Sequence, residues 1–210
     1  MLIDTNSQIT DINKIVSFIL AQASKKALMT VAIAGAPGSG KSTIAAELAT
    51  RLGASCCIIP MDGFHLDNKT LVARGLLSVK GAPETFDFVG FAKMIDALKD
   101  GSVKHFPIFD RDIDSVIHCG GTVPNTLSVL LFEGNYLLFD EPGWSDLSQK
   151  WDMSIWLDVP EAILEERLTK RWLDQGMSPK KAKARAQMND LANAKRVLQR
   201  ALPATWIISN

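Results

Sequence analysis

The sequence holds few cysteines, no net charge and no long apolar run. Cys56, Cys57 and Cys119 are the only cysteines, and they show none of the spacings of a metal site. Cys56 and Cys57 fall in an apolar stretch and read as reduced core residues, which fits a cytoplasmic location. Lys plus Arg and Asp plus Glu balance at 23 each, so no overall basic field recommends a nucleic-acid partner. No stretch approaches the roughly 20 apolar residues that span a bilayer. The start of the chain carries Asp4 and Asp11 and lacks the basic opening of a signal peptide, so no membrane partner is expected. Low-complexity tracts and internal repeats are absent. At 210 residues the chain reads as a single domain, 1–210, long enough to bury a sizeable core.

What is present is organised around residues 31–43, Val-Ala-Ile-Ala-Gly-Ala-Pro-Gly-Ser-Gly-Lys-Ser-Thr. Gly35 to Ser42 fit G-x-x-x-x-G-K-[ST]. The flanks agree with the motif. Met29 to Ala34 is a short apolar run of buried-strand type. After the motif, Ile44, Leu48 and Leu52 recur at helical spacing, and Gly53 is a stop signal. The motif therefore belongs to a strand–loop–helix that can cradle phosphate. Gly35, Gly38 and Gly40 let the backbone approach a ligand. The N–H groups from Gly35, Ala36, Pro37, Gly38, Ser39 and Gly40 on to Thr43, less the proline's missing one, form an anion nest at a helix N-terminus. Lys41 can reach the β- and γ-phosphates, and the Ser42 hydroxyl can ligate Mg²⁺. ATP and Mg²⁺ are the expected cofactors.

Other segments are read around this one. A helix over about 9–24 presents Ile9, Ile12, Ile15, Val16, Ile19 and Leu20 on one face, with Thr10 or Asp11 as its cap. Residues 56–59 read as a second buried strand, with Asp62 just past its carboxyl end. Ligands of open α/β sheets bind there, so Asp62 is either a catalytic or metal-shell carboxylate or a turn residue. Gly63 suggests a tight backbone path. Residues 66–86 form a long polar connection, and a helix follows over about 87–98. Val103 to Asp112 and Ser115 to Cys119 suggest a hairpin, which is also a candidate dimer contact, with Gly120-Gly121 as a turn. Asp110 and Arg111 are substrate contacts or a surface ion pair. Val129 to Phe132 is a central strand ending in Glu133, the expected Mg²⁺-shell carboxylate. A further strand over 153–160 leads into a helix over about 161–173. Arg167 and Arg171 share a face of it, either for charge neutralisation or as a solvated surface. Ser178-Pro179 opens a helix whose Lys180, Lys181, Lys183 and Arg185 read as a solvated face in preference to a nucleic-acid site. Residues 206–209 suggest a last strand. The alternation predicts an α/β, three-layer P-loop NTPase fold: a mainly parallel sheet with helices on both faces.

Gly35–Ser42, Met61-Asp-Gly-Phe-His65 and Phe132-Glu-Gly-Asn135 together resemble the phosphoribulokinase/uridine kinase/pantothenate kinase family of small-molecule kinases. The similarity runs from about Thr30 to Ala201. Lys80 to Asp87, Phe109-Asp-Arg111 and Asn189 to Asn193 look like the bacterial branch labelled fructose-transport-associated, or sugar, kinase. The resemblance implies that Asp62 accepts the proton of the acceptor hydroxyl, that Glu133 belongs to the Mg²⁺ shell, and that Arg167 and Arg171 sit on a lid near 165–178. It also places Arg111 near substrate. For the kinase reading, His65 and Glu84 are further candidate acceptor contacts. Gly63-Phe64-His65 departs from the Ser-Phe-Tyr type of uridine kinases, and pantothenate kinases are longer. The expected reaction is transfer of the γ-phosphoryl group of ATP to a hydroxyl of a small metabolite, a sugar such as fructose, with nucleoside and pantothenate acceptors as alternatives. An ATPase or nucleotide-dependent protein-binding module is the rival class. A GTP switch is disfavoured because Asn68-Lys69-Thr70-Leu71 lacks the final Asp of a base-reading motif.

Overall fold

The computed structural model describes residues 7–8 and 11–209. In chain order the elements are β1 (Ser7–Gln8), α1 (Ile12–Ala23), β2 (Met29–Gly35), α2 (Lys41–Leu52), β3 (Cys56–Pro60), α3 (Asn68–Ala73) and α4 (Phe88–Lys99). They continue with β4 (His105–Asp110), β5 (Ser115–Thr122), β6 (Val129–Gly134), β7 (Met153–Asp158), α5 (Glu161–Asp174), α6 (Pro179–Arg185), α7 (Leu191–Gln199) and β8 (Trp206–Ser209). Six strands form one sheet in the order β1-β8-β7-β2-β6-β3, with every neighbouring pair parallel. Parallel neighbours need crossovers, and the helices supply them. β4 and β5 stand apart as an antiparallel hairpin.

β2 lies at the centre and is buried along its whole length, which is why its sequence is continuously apolar apart from Thr30. Its side chains alternate between the two faces. Val31 and Ile33 pack with Ile15 and Ile19 of α1 and Ala45 and Leu48 of α2. Ala32 and Ala34 pack on the other side with Phe91, Ile95 and Leu98 of α4. β6 divides the same way, Leu131 toward the first layer and Leu130 and Phe132 toward the second. Helices thus cover both faces, as the α/β pattern requires.

Several local expectations change. Asp11 caps α1 by accepting from the Asn13 N–H, while Ile9 and Thr10 lie outside the described residues. β1 pairs with β8 and is too short to leave a sequence signal. Gly120 and Gly121 are strand residues of β5 rather than a turn: a Cβ would meet Ile108 at Gly120 and the Phe106 ring at Gly121. Ser178 occupies the cap position of α6 without a side-chain capping bond. Cys56 and Cys57 are free and half-buried rather than core, because β3 is the sheet's edge; burial still pushes the Cys56 thiol up to about 12.

Gly63 satisfies a steric demand. It sits in the short helical turn Met61–Phe64 after β3, and a Cβ there would lie 2.1 Å from the Pro107 carbonyl oxygen of β4. Overpacking of this kind costs about 1–3 kcal/mol. Gly63→Ala is therefore expected to lower the unfolding free energy by that amount, read as a fall in the urea midpoint at unchanged slope, and an unchanged midpoint would show that the hairpin does not press on this turn.

Candidate active site

The site forms at the carboxyl ends of β2, β3 and β6. Gly38 and Gly40 take φ of +81° and +91°, a left-handed backbone that only glycine adopts without strain. At Gly35 a Cβ would lie 2.8 Å from Ser39 Oγ and 3.0 Å from the Leu157 carbonyl. The loop turns at these glycines and delivers Lys41, Ser42 and Thr43 as the first residues of α2, whose early N–H groups face the cradle. From outside, α5 supports the loop: Leu168 lies under Gly38, and Ala36 packs with Leu164, Leu168 and Leu191.

Lys41 is buried and donates to the Ala36 carbonyl at 2.9 Å. Burial lowers its pKa to about 8, with Glu133 and Asp62 pulling the other way. Glu133 accepts from the Ser42 hydroxyl at 3.2 Å, and its pKa is raised by burial and then by the nearby Asp62. A buried ammonium short of full compensation is a place where phosphate gains. Ser42 and Glu133 are two oxygen donors, and the described residues hold no group of three or more His, Cys, Asp or Glu that could bind a metal by themselves. That donor set suits Mg²⁺, which is commonly held by one or two protein oxygens together with phosphate and water.

Two cavities adjoin here. One, of about 280 Å³, is lined by the phosphate-loop residues with Glu133. The other, of about 480 Å³, extends away from the loop between the β4–β5 hairpin, the 65–86 connection and the α5–α7 segment. Pro37, Asp62, Arg111, Asn135 and Arg171 line both. Asp62 Oδ2 accepts from Arg111 at 2.6 Å across this junction.

The structure brings together Lys41, Ser42, Glu133, Asp62, Arg111 and Arg171. His65 lines the larger cavity, stacked on Phe86 at 4.1 Å and tilted against Phe109; burial lowers its pKa to about 4, so it is neutral near pH 7. Two expected residues fall elsewhere. Glu84 lines neither cavity, because it is exposed and pairs with Arg196 at 2.6 Å. Arg167 also lines neither; its Nη1 lies 3.5 Å from the Gly38 and Ser39 carbonyls and braces the loop from behind. The sequence reading missed Lys80, Asp114, Trp172, Asn189, Asp190 and Asn193 as cavity residues. Lys80, Asn189, Asp190 and Asn193 fall in the family-like segments at 80–87 and 189–193, whereas Asp114 and Trp172 left no signal. Arg185 belongs to the cavity rather than to a solvated face: it leans on the Trp172 ring at 5.3 Å, whereas Lys180, Lys181 and Lys183 are exposed.

Residues 30–185 match the model of the phosphoribulokinase/uridine kinase family. The chain belongs to that family. A protein of Schizosaccharomyces pombe provisionally named a uridine kinase is 34% identical over 78% of this chain and 75% of its own. The pantothenate kinase of Serratia proteamaculans is 31% identical over 68% of this chain, which spans about half of that enzyme (49%). A crystal structure from Silicibacter sp. TM1040, provisionally named a fructose transport system kinase, is 48% identical with a TM-score of 0.86, covering 91% of this chain and 97% of that one. The chain is accordingly a kinase, a phosphotransferase of a family that acts on alcohol groups of small molecules. Among the described residues no helix is long and apolar enough to cross a membrane.

Lys41 gives a test of these electrostatics. With its pKa falling from 10.5 to about 8 on folding, the unfolded chain binds more protons between those values. The Lys41 contribution to stability should therefore rise with pH across that window, by about 3 kcal/mol in the nucleotide-free protein. The penalty is fully present below about pH 8 and gone above 10.5. In denaturation from pH 7 to 10.5, wild type should gain this amount relative to Lys41→Met; the Cys56 thiol, whose raised pKa acts the other way above pH 9, is common to both proteins and cancels in the difference. Parallel profiles for the two proteins would contradict the buried-ammonium assignment.

Proposed function

We propose that the chain is an ATP-dependent kinase that transfers the γ-phosphoryl group to a hydroxyl of a small sugar-like metabolite seated in the larger cavity. The observation that carries this reading is the position of Asp62, which lines both cavities and so faces the phosphate loop and the acceptor chamber together. The 48%-identical protein's provisional name, a fructose transport system kinase, supports a sugar-type acceptor. The length mismatch with the pantothenate kinase weighs against that acceptor.

In this reading the backbone of Gly35–Ser42 and the Lys41 ammonium hold the triphosphate. Mg²⁺, held through Ser42 and Glu133, would supply charge neutralisation on the phosphates. Arg111 fixes one oxygen of Asp62, and among the described residues Asp62 Oδ1 has no partner, which leaves it for the acceptor hydroxyl. The hydroxyl oxygen bonds to the γ-phosphorus as the bond to the β–γ bridging oxygen breaks. Its proton passes to Asp62, and ADP leaves. Arg171, at the junction, meets the charge spread over the transferred group. The lid is assigned to 165–178, and its outer part, residues 173–176, is exposed and ends at Gly176 with φ of +84°.

Asp62→Asn should lower phosphoryl transfer about 10²–10⁴-fold while ATP affinity, read by calorimetry, changes only a few-fold. Unchanged turnover would remove Asp62 from the reaction. Glu133→Gln should raise the Mg²⁺ concentration needed for half-maximal activity about tenfold or more. An unchanged Mg²⁺ requirement would place the metal elsewhere.

A further inference from the structure

We infer that the acceptor carries an anionic group, a carboxylate or a phosphate monoester, and that Arg185 binds it. The inference rests on the kinase reading and narrows its substrate class. Four cations line the larger cavity, Lys80, Arg111, Arg171 and Arg185, against three carboxylates, Asp62, Asp114 and Asp190. Each carboxylate is already engaged. Asp62 takes Arg111 at 2.6 Å, Asp114 takes Lys80 at 2.7 Å, and Asp190 takes Arg171 at 3.1 Å together with the Trp172 indole N–H. His65 is neutral near pH 7 and adds no charge.

Arg185 is the cation left over. Among the described residues it makes no ion pair and no hydrogen bond; its only recorded contact is the Trp172 ring, 5.3 Å away, which Arg171 also meets at 5.4 Å. A guanidinium stacked on an aromatic keeps its five N–H donors available at its edge, in the fork that suits carboxylate or phosphate. Its placement also fits. Arg185 lines only the larger cavity, whereas Asp62 and Arg171 line both, so Arg185 stands off the junction where transfer occurs. A ligand with its hydroxyl at Asp62 and its anion at Arg185 would occupy the chamber. A neutral sugar would leave that cation unanswered. A π-helical turn, Ala186–Asp190, follows directly after Arg185 and aims Asn189 and Asp190 at the same chamber; such turns often mark functional sites.

The test is ADP release with Mg²⁺ and ATP on matched acceptors: glycerol, glycerate and glycerol 3-phosphate; glucose, gluconate and glucose 6-phosphate; fructose and fructose 6-phosphate. The expected result is that one anionic series exceeds its neutral parent in kcat/KM by at least about tenfold, the value of one charged hydrogen-bonding contact. Which series leads decides between carboxylate and phosphate. Arg185→Gln should then raise KM for that acceptor about 10- to 100-fold with kcat retained. Arg185→Lys should recover part of the loss. Unchanged ATP affinity in both variants controls for folding. A neutral sugar used as well as its anionic counterparts, or a KM indifferent to Arg185→Gln, overturns the inference and leaves the kinase reading standing. Slow release of inorganic phosphate that no acceptor stimulates and that Asp62→Asn does not change overturns both.

Discussion

The site depends on one constraint, the parallel register of β3, β6 and β2. Ile33 of β2 lies beside Glu133 of β6, and Glu133 lies beside Pro60 of β3. All three strands therefore leave the sheet at the same level and on the same edge. The phosphate loop follows β2 directly, Glu133 is the penultimate residue of β6, and the turn bearing Asp62 follows β3. A one-residue slip would reverse which face each strand buries, so the hydrophobic layers on both sides lock the register, and with it the relative placement of Lys41, Asp62 and Glu133. Gly134 tightens the arrangement, since a Cβ there would lie 2.5 Å from the Met61 Cβ.

Packing around that edge keeps the charges in place before any ligand arrives. Lys41 and Glu133 are held in a low-dielectric setting that disfavours their charged forms, and each partly compensates the other. The phosphates of a nucleotide would complete the compensation, so folding energy is invested in a site that binding relieves. α5 connects the two chambers mechanically. Its Leu168 supports the phosphate loop, Arg167 holds the loop's carbonyls, and Arg171, one turn further on, reaches the junction.

The nucleotide half of this site was legible in the sequence because it is local. Strand, glycine loop and helix run through one stretch, and Asp62 and Glu133 each follow a recognisable apolar strand. The larger cavity, the proposed acceptor chamber, was not. Its walls come from the 65–86 connection, the hairpin and the α5–α7 segment, which meet only in the folded chain. Helical spacing put Arg167 and Arg171 on one face but could not reveal that the loop intercepts the first. A run of four basic residues read as surface because Trp172, which holds Arg185 against the cavity, comes from a different helix. Glu84 was a candidate acceptor contact, and its tie to Arg196, 112 positions away, could not be read from spacing. The hairpin glycines passed for a turn because their true role, admitting the Ile108 and Phe106 side chains, depends on the facing strand.

The central claim is that the two cavities form one path from ATP to a hydroxyl acceptor. It is tested most directly by following the phosphorus of ATP by NMR in the presence of Mg²⁺, the protein and a mixture of metabolite alcohols. The account predicts that the γ-phosphate resonance is replaced by that of a phosphate ester, with ADP in equal amount. Conversion to inorganic phosphate alone, at a rate indifferent to the alcohols, would contradict it.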